Sequence, residues 1–382
     1  MNSLLVLAGL LFLSSLVCQQ GYARFSSDPN ITRTFKGLPP GDSEALPHHI
    51  IEGLPEDAPH DEDKCLLKGS KGAALKVSNT TKAYLTSSLS TRLIPAVYIA
   101  VVLIGVPANA ITLWMLFFHV GSVCTAILYT NLAISDFLFC LMLPFKIAYH
   151  LNGNHWGFGE ILCRTMTVVF YGNMYCSILL LMCISISRYL AIVHPFVYRG
   201  LPQRTFAVSL SLLVWIIVFL YMLPFTITNQ EYRLEDLNIS TCHDVHNACE
   251  TLSHLKFYYF LFLAIFGFLI PLAVVVFCYI SIIRTLSTYD QKWFWYVKIT
   301  ILILTIFTIC FTPSNILLIV HHVKYYQNNT DDLYFSYTIA LCLSSLNSCL
   351  DPFLYFLMTK IKDQSNNYRT MLRVSGHAQM QL

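Results

Sequence analysis

Two carboxylates set inside long apolar runs are the first side chains in this sequence that could do chemistry. Asp136 closes the segment Asn131 to Asp136, Asp351 opens Asp351-Pro352-x-x-Tyr355, and Asn109 and Asn347 stand in comparable apolar surroundings. If the runs pack together these four converge, and two carboxylates so placed cannot both ionise cheaply without a cation or a shared proton. Arg188 ends another apolar run. A cation there is either an interfacial arginine reaching for water or the centre of a switch, held by polar partners in one state and released in another. Arg33 lies instead in the polar stretch Ile31 to Pro40, the accessible kind of chain that a trypsin-like protease cuts, with Arg24 as the competing site. Enzymatic chemistry is not expected of the chain itself. His48, His49, His321 and His322 lack a third partner at metal-ligand spacing, and no Ser or Cys sits in a nucleophile motif.

The elements that must carry these residues follow from composition. The chain is 55% hydrophobic and 12% charged, against roughly 45–50% and ~25% for soluble domains. A water-soluble core cannot absorb that much apolar surface, so the partner is membrane lipid. A net charge of +3, with Lys and Arg scattered, supplies no nucleic-acid patch. Seven apolar stretches, 93–118, 126–150, 161–193, 205–229, 257–286, 296–322 and 333–358, each exceed the ~20 residues that cross ~30 Å of hydrocarbon. Lipid-facing spans must be helical. The expected fold is therefore an all-α membrane protein, a seven-helix transmembrane bundle at 93–358 with a disordered extracellular N-terminal tail. Transporters show repeats with broken helices around a midplane site, and no such symmetry is visible.

Residues Leu4 to Val17 form a short apolar run followed by Cys18 to Gly21, which reads as a signal peptide over 1–21. The chain from there to about Arg92 is rich in Pro, Gly, Ser and acids and reads as a mobile exposed tail. The Asn-x-Ser/Thr acceptors Asn30, Asn79, Asn238 and Asn328 all fall on the side that the signal peptide makes external. Seven spans then put residues 359–382 in the cytoplasm, beneath the plasma membrane. Of thirteen cysteines most lie within spans and are expected to pack. Cys163 and Cys242 lie on the oxidising side, where a disulfide would pin the second external loop over the bundle mouth. Cys65 and Cys249 remain outside and are expected to pair.

The ordered set Asn109, Asp136, Cys163, Arg188-Tyr189, Trp215, Pro271, Tyr279, Pro313 and Asp351-Pro352-x-x-Tyr355 resembles the rhodopsin-like G-protein-coupled receptors from about Leu93 to Tyr355. The resemblance implies a sodium ion, the one cofactor expected, in a pocket lined by Asp136, Ser177, Asn347 and Asp351. It also implies a cytoplasmic switch for heterotrimeric G protein built on Arg188, Tyr189, Tyr279, Phe307, Pro313, Asp351, Pro352 and Tyr355, with Ile178, Pro271 and Phe307 as its packed relay. Two positions depart from the pattern: Ser187 replaces the acid usual beside the arginine, and Phe311 the tryptophan usual before the sixth-span proline.

Cys242 to Val245 and Ala83 to Ser88 resemble, more narrowly, the proteinase-activated receptors, and the start at Thr34 with the short inner tail looks most like one subtype of them. The resemblance implies that thrombin or a related trypsin-like protease cuts after Arg33, releasing 22–33 as a propeptide. The remaining tail, 34–92, would then begin with a tethered ligand, Thr34, Phe35, Lys36, Gly37, Leu38 and Pro39. Intramolecular binding at an effective concentration near millimolar lets a weak site suffice. The ~59 residues from Thr34 to Leu93 span roughly 40–45 Å as coil, enough to return to the mouth. Asp244 is an acid that the freed amine could seek. The acids from Asp42 to Asp63 suit a basic protease exosite, or are only a solubilising linker. Thr32 before the arginine and the lack of aromatics among the acids count against thrombin. A second reading keeps the protease but not the signal: the chain docks thrombin and presents it to a neighbouring proteinase-activated receptor.

Overall fold

The computed structural model describes residues 79–118, 123–234, 237–244, 253–287, 294–328 and 334–356. The signal peptide, Arg33 with the tethered-ligand segment 34–39, Asn30, Cys65, Cys249 and the tail 359–382 lie outside them. Among the described residues seven helices are long and apolar enough to cross a membrane: Leu89–Phe118, Cys124–Leu151, Glu160–Val193, Gln203–Ile227, Tyr258–Leu286, Ile301–Val320 and Ser336–Phe356. They are called the first to seventh spans below. Their exposed side chains are apolar, as in Leu103, Trp114, Ile161 and Phe277, because lipid replaces water around them.

Proline recurs inside these helices, at Pro107, Pro144, Pro224 and Pro313. A ring nitrogen removes one donor and crowds the preceding turn, so nearby carbonyls need other partners inside a membrane. Around Pro313 the partners are side chains. Ser344 Oγ donates to Cys310 O at 2.8 Å, Asn315 Nδ2 to Phe311 O at 2.9 Å, and Ser314 Oγ to Phe311 O at 3.1 Å. The sixth and seventh spans are thereby joined at the break.

The fifth span widens into a π-helical stretch, Leu263–Leu269, that brings Gly267 against the third span. A Cβ at Gly267 would meet Tyr175 Cδ1 and Cε1 at 2.8 Å, and Tyr175 is fully buried. Overpacking of this kind costs about 1–3 kcal/mol. Gly267→Ala should therefore lower the thermal midpoint of the purified protein by about 2–10 °C; an unchanged midpoint would show that the Tyr175 ring can move aside.

Two segments differ from the sequence reading. The chain before the first span is not exposed throughout: Asn79–Leu85 is a short helix, Tyr84 and Leu85 are buried, and the helix of the first span begins at Leu89 rather than 93. The loop between the fourth and fifth spans contains a hairpin of β1 (Glu231–Leu234) and β2 (Ile239–Cys242), in antiparallel register from Glu231 opposite Cys242 to Leu234 opposite Ile239. Asn238 turns it with φ 48°, a conformation asparagine tolerates better than most residues.

Candidate functional site

The functional side chains gather at three levels of the bundle. At one end, the mouth, Cys163 at the start of the third span and Cys242 at the end of β2 form a disulfide, with Cα atoms 5.6 Å apart. Both ends of the hairpin are held by residues at and just before the start of the third span. Glu160 accepts from the backbone N–H groups of Gln230 at 2.9 Å and Glu231 at 2.7 Å, and Trp156 N–H donates to Ser240 O at 2.7 Å. Burial, then the charge of Glu160, raises the Glu231 carboxyl above its ordinary value.

Beneath the hairpin lies a cavity of about 50 Å³ lined by Tyr98, Lys146, Tyr171, His243, Asp244 and Tyr337, among others. At ~10–15 Å³ per water it admits a side-chain tip or a few waters, not a folded ligand. Asp244 accepts from the Tyr149 hydroxyl and lies 3.7 Å from Lys146 Nζ. The acid expected to seek a freed amine therefore already holds a lysine. His243 reaches Gln230 Oε1 at 2.7 Å and the Tyr171 hydroxyl at 3.0 Å, and Tyr171 reaches the Tyr337 hydroxyl at 2.9 Å.

The segment before the first span closes one side of the mouth. Asn154, with φ 61° and no exposed surface, donates to Leu85 O at 2.6 Å and Ser90 Oγ at 2.9 Å, and its carbonyl faces His150 Nδ1 at 2.8 Å. Burial, then the charge of Asp244, pushes the Tyr84 phenol up, so it stays a neutral group.

At mid-depth the four polar residues do converge. Asn109 Nδ2 donates to Ser348 O at 2.8 Å, Ser348 Oγ to Asp136 Oδ1 at 3.0 Å, Ser177 Oγ to the same oxygen at 3.5 Å, and Asn347 Nδ2 to Asp351 Oδ2 at 2.7 Å. The sequence reading missed Asn173 and Ser348. Asn173 donates to Asp136 Oδ1 at 2.9 Å; it precedes Ser177 by one helical turn, and that i, i+4 spacing was the available signal. Asp136 Oδ2, Asp351 Oδ1 and Asn347 Oδ1 are buried and accept from no amide or hydroxyl among the described residues, while the Asp136 and Asp351 carboxyls lie within hydrogen-bond reach of each other.

At the far end Arg188 donates through Nη2 to the Tyr129 hydroxyl. Tyr189 turns away to His194 Nε2 at 3.0 Å. Tyr279 is buried beside Val275, Ile303 and Leu354, Ile178, Pro271, Phe307 and Pro352 are buried, and Phe311 meets Phe307 edge-on at 5.2 Å. Also unforeseen is Phe196, which stands 85% exposed on the short helix Pro195–Gly200 just past the third span.

Residues 108–355 match the 7 transmembrane receptor (rhodopsin family). The chain is 60% identical to proteinase-activated receptor 3 of Homo sapiens over 367 residues, covering 95% of this chain and 98% of that one. The chain belongs to the proteinase-activated receptor family. It is also 57% identical to proteinase-activated receptor 3 of Bos taurus over 96% of its length, and 39% identical to proteinase-activated receptor 2 of Rattus norvegicus over 78%. The receptor is thus a multi-pass membrane protein, and the disulfide, the central polar cluster and the arginine end lie within its rhodopsin-type bundle. Asn238, exposed at the hairpin turn, shares the mouth side with Asn79 and Asn328, whose side chains are outside the described set.

Proposed function

We propose that this receptor sits in the plasma membrane with its mouth outside the cell and is activated by cleavage after Arg33, by thrombin or a related trypsin-like protease. The new end at Thr34 folds back onto the mouth and turns the bundle toward a heterotrimeric G protein on the cytoplasmic side. The observation that carries this reading is that similarity to proteinase-activated receptors runs over 95% of the chain, tail included. Lys146 gives the event a defined chemistry. The freed α-amine, largely cationic at neutral pH with a pKa of ~7.7–8.0, exchanges for Lys146 on Asp244, so the buried carboxylate keeps a cation while the Lys146 ammonium, on a side chain 16% exposed, turns toward water. Residues 34–39 supply the agonist, and Phe196 with Arg188 meets the G protein.

The central cluster suits a sodium ion, since its unpaired acceptors are all oxygens, the donors that hard cations prefer. Asp136, Ser177, Asn347 and Asp351, joined by Ser348, would hold it. Bound there, it supplies the positive charge that two neighbouring carboxylates otherwise lack. Asn173 and Asn109 keep those carboxylates oriented, Asn173 by tying the third span to the second and Asn109 by tying the first span to the seventh.

N-terminal sequencing of cell-surface receptor after thrombin treatment tests the main reading. The expected product begins at Thr34, and Arg33→Ala stays intact while still answering free peptide 34–39. Cutting of Arg33→Ala at the same bond would overturn the assignment.

A further inference from the structure

The arginine end lacks the acid beside Arg188, and the structure shows what occupies its place. Ser187 is buried, with its hydroxyl 3.4 Å from Cys124 Sγ. Among the described residues Arg188 forms no ion pair. Its guanidinium is held by Tyr129 of the second span, to whose phenol oxygen Nη2 donates. Nη1 is buried and has no hydrogen-bond partner among the described residues. The same ring meets Tyr355 of the seventh span edge-on at 5.4 Å, so one side chain touches both the third-span cation and the seventh-span tyrosine.

We propose that Tyr129 is the positioning residue that restrains Arg188 in this bundle, a neutral stand-in for the carboxylate that position 187 does not provide. The inference rests on the reading of this end as a switch. A phenol holds a cation through one charge-assisted hydrogen bond, without a full counter-charge. Such a restraint is weaker than an ion pair at low dielectric, and the buried Nη1 becomes open to an acceptor on an arriving protein only once the grip is released. Because Tyr129 also packs on Tyr355, movement of the seventh span would loosen the grip on the arginine directly.

The test uses full-length receptor in lipid nanodiscs carrying an environment-sensitive fluorophore on Lys298→Cys, just before the sixth span. Tyr129→Phe keeps the ring and removes the hydroxyl. It should shift the resting fluorescence toward the G-protein-bound spectrum and raise agonist-independent nucleotide exchange by about two- to tenfold. Adding Ser187→Asp to Tyr129→Phe restores the acid and should reverse both changes; Ser187→Asp alone should push the resting spectrum further the other way. An unshifted spectrum in Tyr129→Phe, or failure of Ser187→Asp to rescue a variant whose thermal midpoint is unchanged, would overturn the proposal and leave Tyr129 as packing. Should Tyr129→Phe not fold, an unmoved spectrum in Ser187→Asp alone overturns it. A fluorescence shift with rescue but no nucleotide exchange in any variant upholds the restraint and instead sinks the G-protein reading.

Discussion

Replacing Cys163 and Cys242 together by alanine should lower the thermal midpoint by about 4–8 °C and weaken the response to free peptide 34–39 about tenfold or more. The bridge closes a loop with a sequence separation of 79, for which chain entropy gives about 4.5 kcal/mol as an upper figure. The third and fourth spans remain in the membrane when tertiary packing is lost, so the unlinked chain is already restricted and about half of that is expected. The functional loss has a separate origin. Without the bridge β2 is no longer fixed to the third span, and Asp244, two residues beyond Cys242, loses its register over Lys146 and Tyr149. The eight free cysteines among the described residues are all buried, so labelling by a thiol-reactive dye during heating reports the midpoint directly. Equal midpoints with an intact peptide response would show that the hydrogen bonds accepted by Glu160 and donated by Trp156 suffice to hold the hairpin.

The same hairpin marks the boundary of what the sequence could disclose. Asn109, Asp136, Asn347 and Asp351 stood out because a polar group in hydrocarbon is costly whatever its partners, so their types alone announced a shared interior site. Cys163 and Cys242 were legible from sidedness, which leaves few cysteines in an oxidising compartment. Strands of four residues carry too little alternation to be read, and β1 and β2 exist because the disulfide and Glu160 hold their ends. Tyr84 and Leu85 looked like two apolar residues in a polar tail; their burial depends on Asn154, 69 positions away from Leu85. Tyr129 was equally silent, since a tyrosine in an apolar span is ordinary until Arg188, 59 residues on, is seen to reach it. Lys146 beside Asp244 was hidden for the same reason: local pattern finds a costly group, whereas its partner is chosen by packing.

Asn154 is where such long-range choice concentrates, and Asn154→Ala is expected to cost about 3 kcal/mol or more, lowering the midpoint by about 6–12 °C. Alanine would remove the donor to Leu85 O and Ser90 Oγ and the partner of His150 Nδ1, leaving buried polar groups that water does not reach. It would also place a Cβ-bearing residue without local hydrogen bonding at φ 61°, a further cost of about 1–2 kcal/mol. Asn154→Gly separates the two effects: it accepts the left-handed backbone without strain, so it should fall between wild type and alanine. Hydrogen exchange over residues 81–90 gives the local readout. Both variants should speed it, because the short helix and the start of the first span are tied to the second span through this side chain. On the proposed function this segment is the root of the tether, and freeing it spreads the new N-terminus over a larger volume. Protease-evoked signalling should then fall while the response to added peptide 34–39 holds. If exchange at 81–90 is unchanged in Asn154→Ala, or if both responses fall together, the root is not fixed by Asn154, and the tether must be aimed by other contacts.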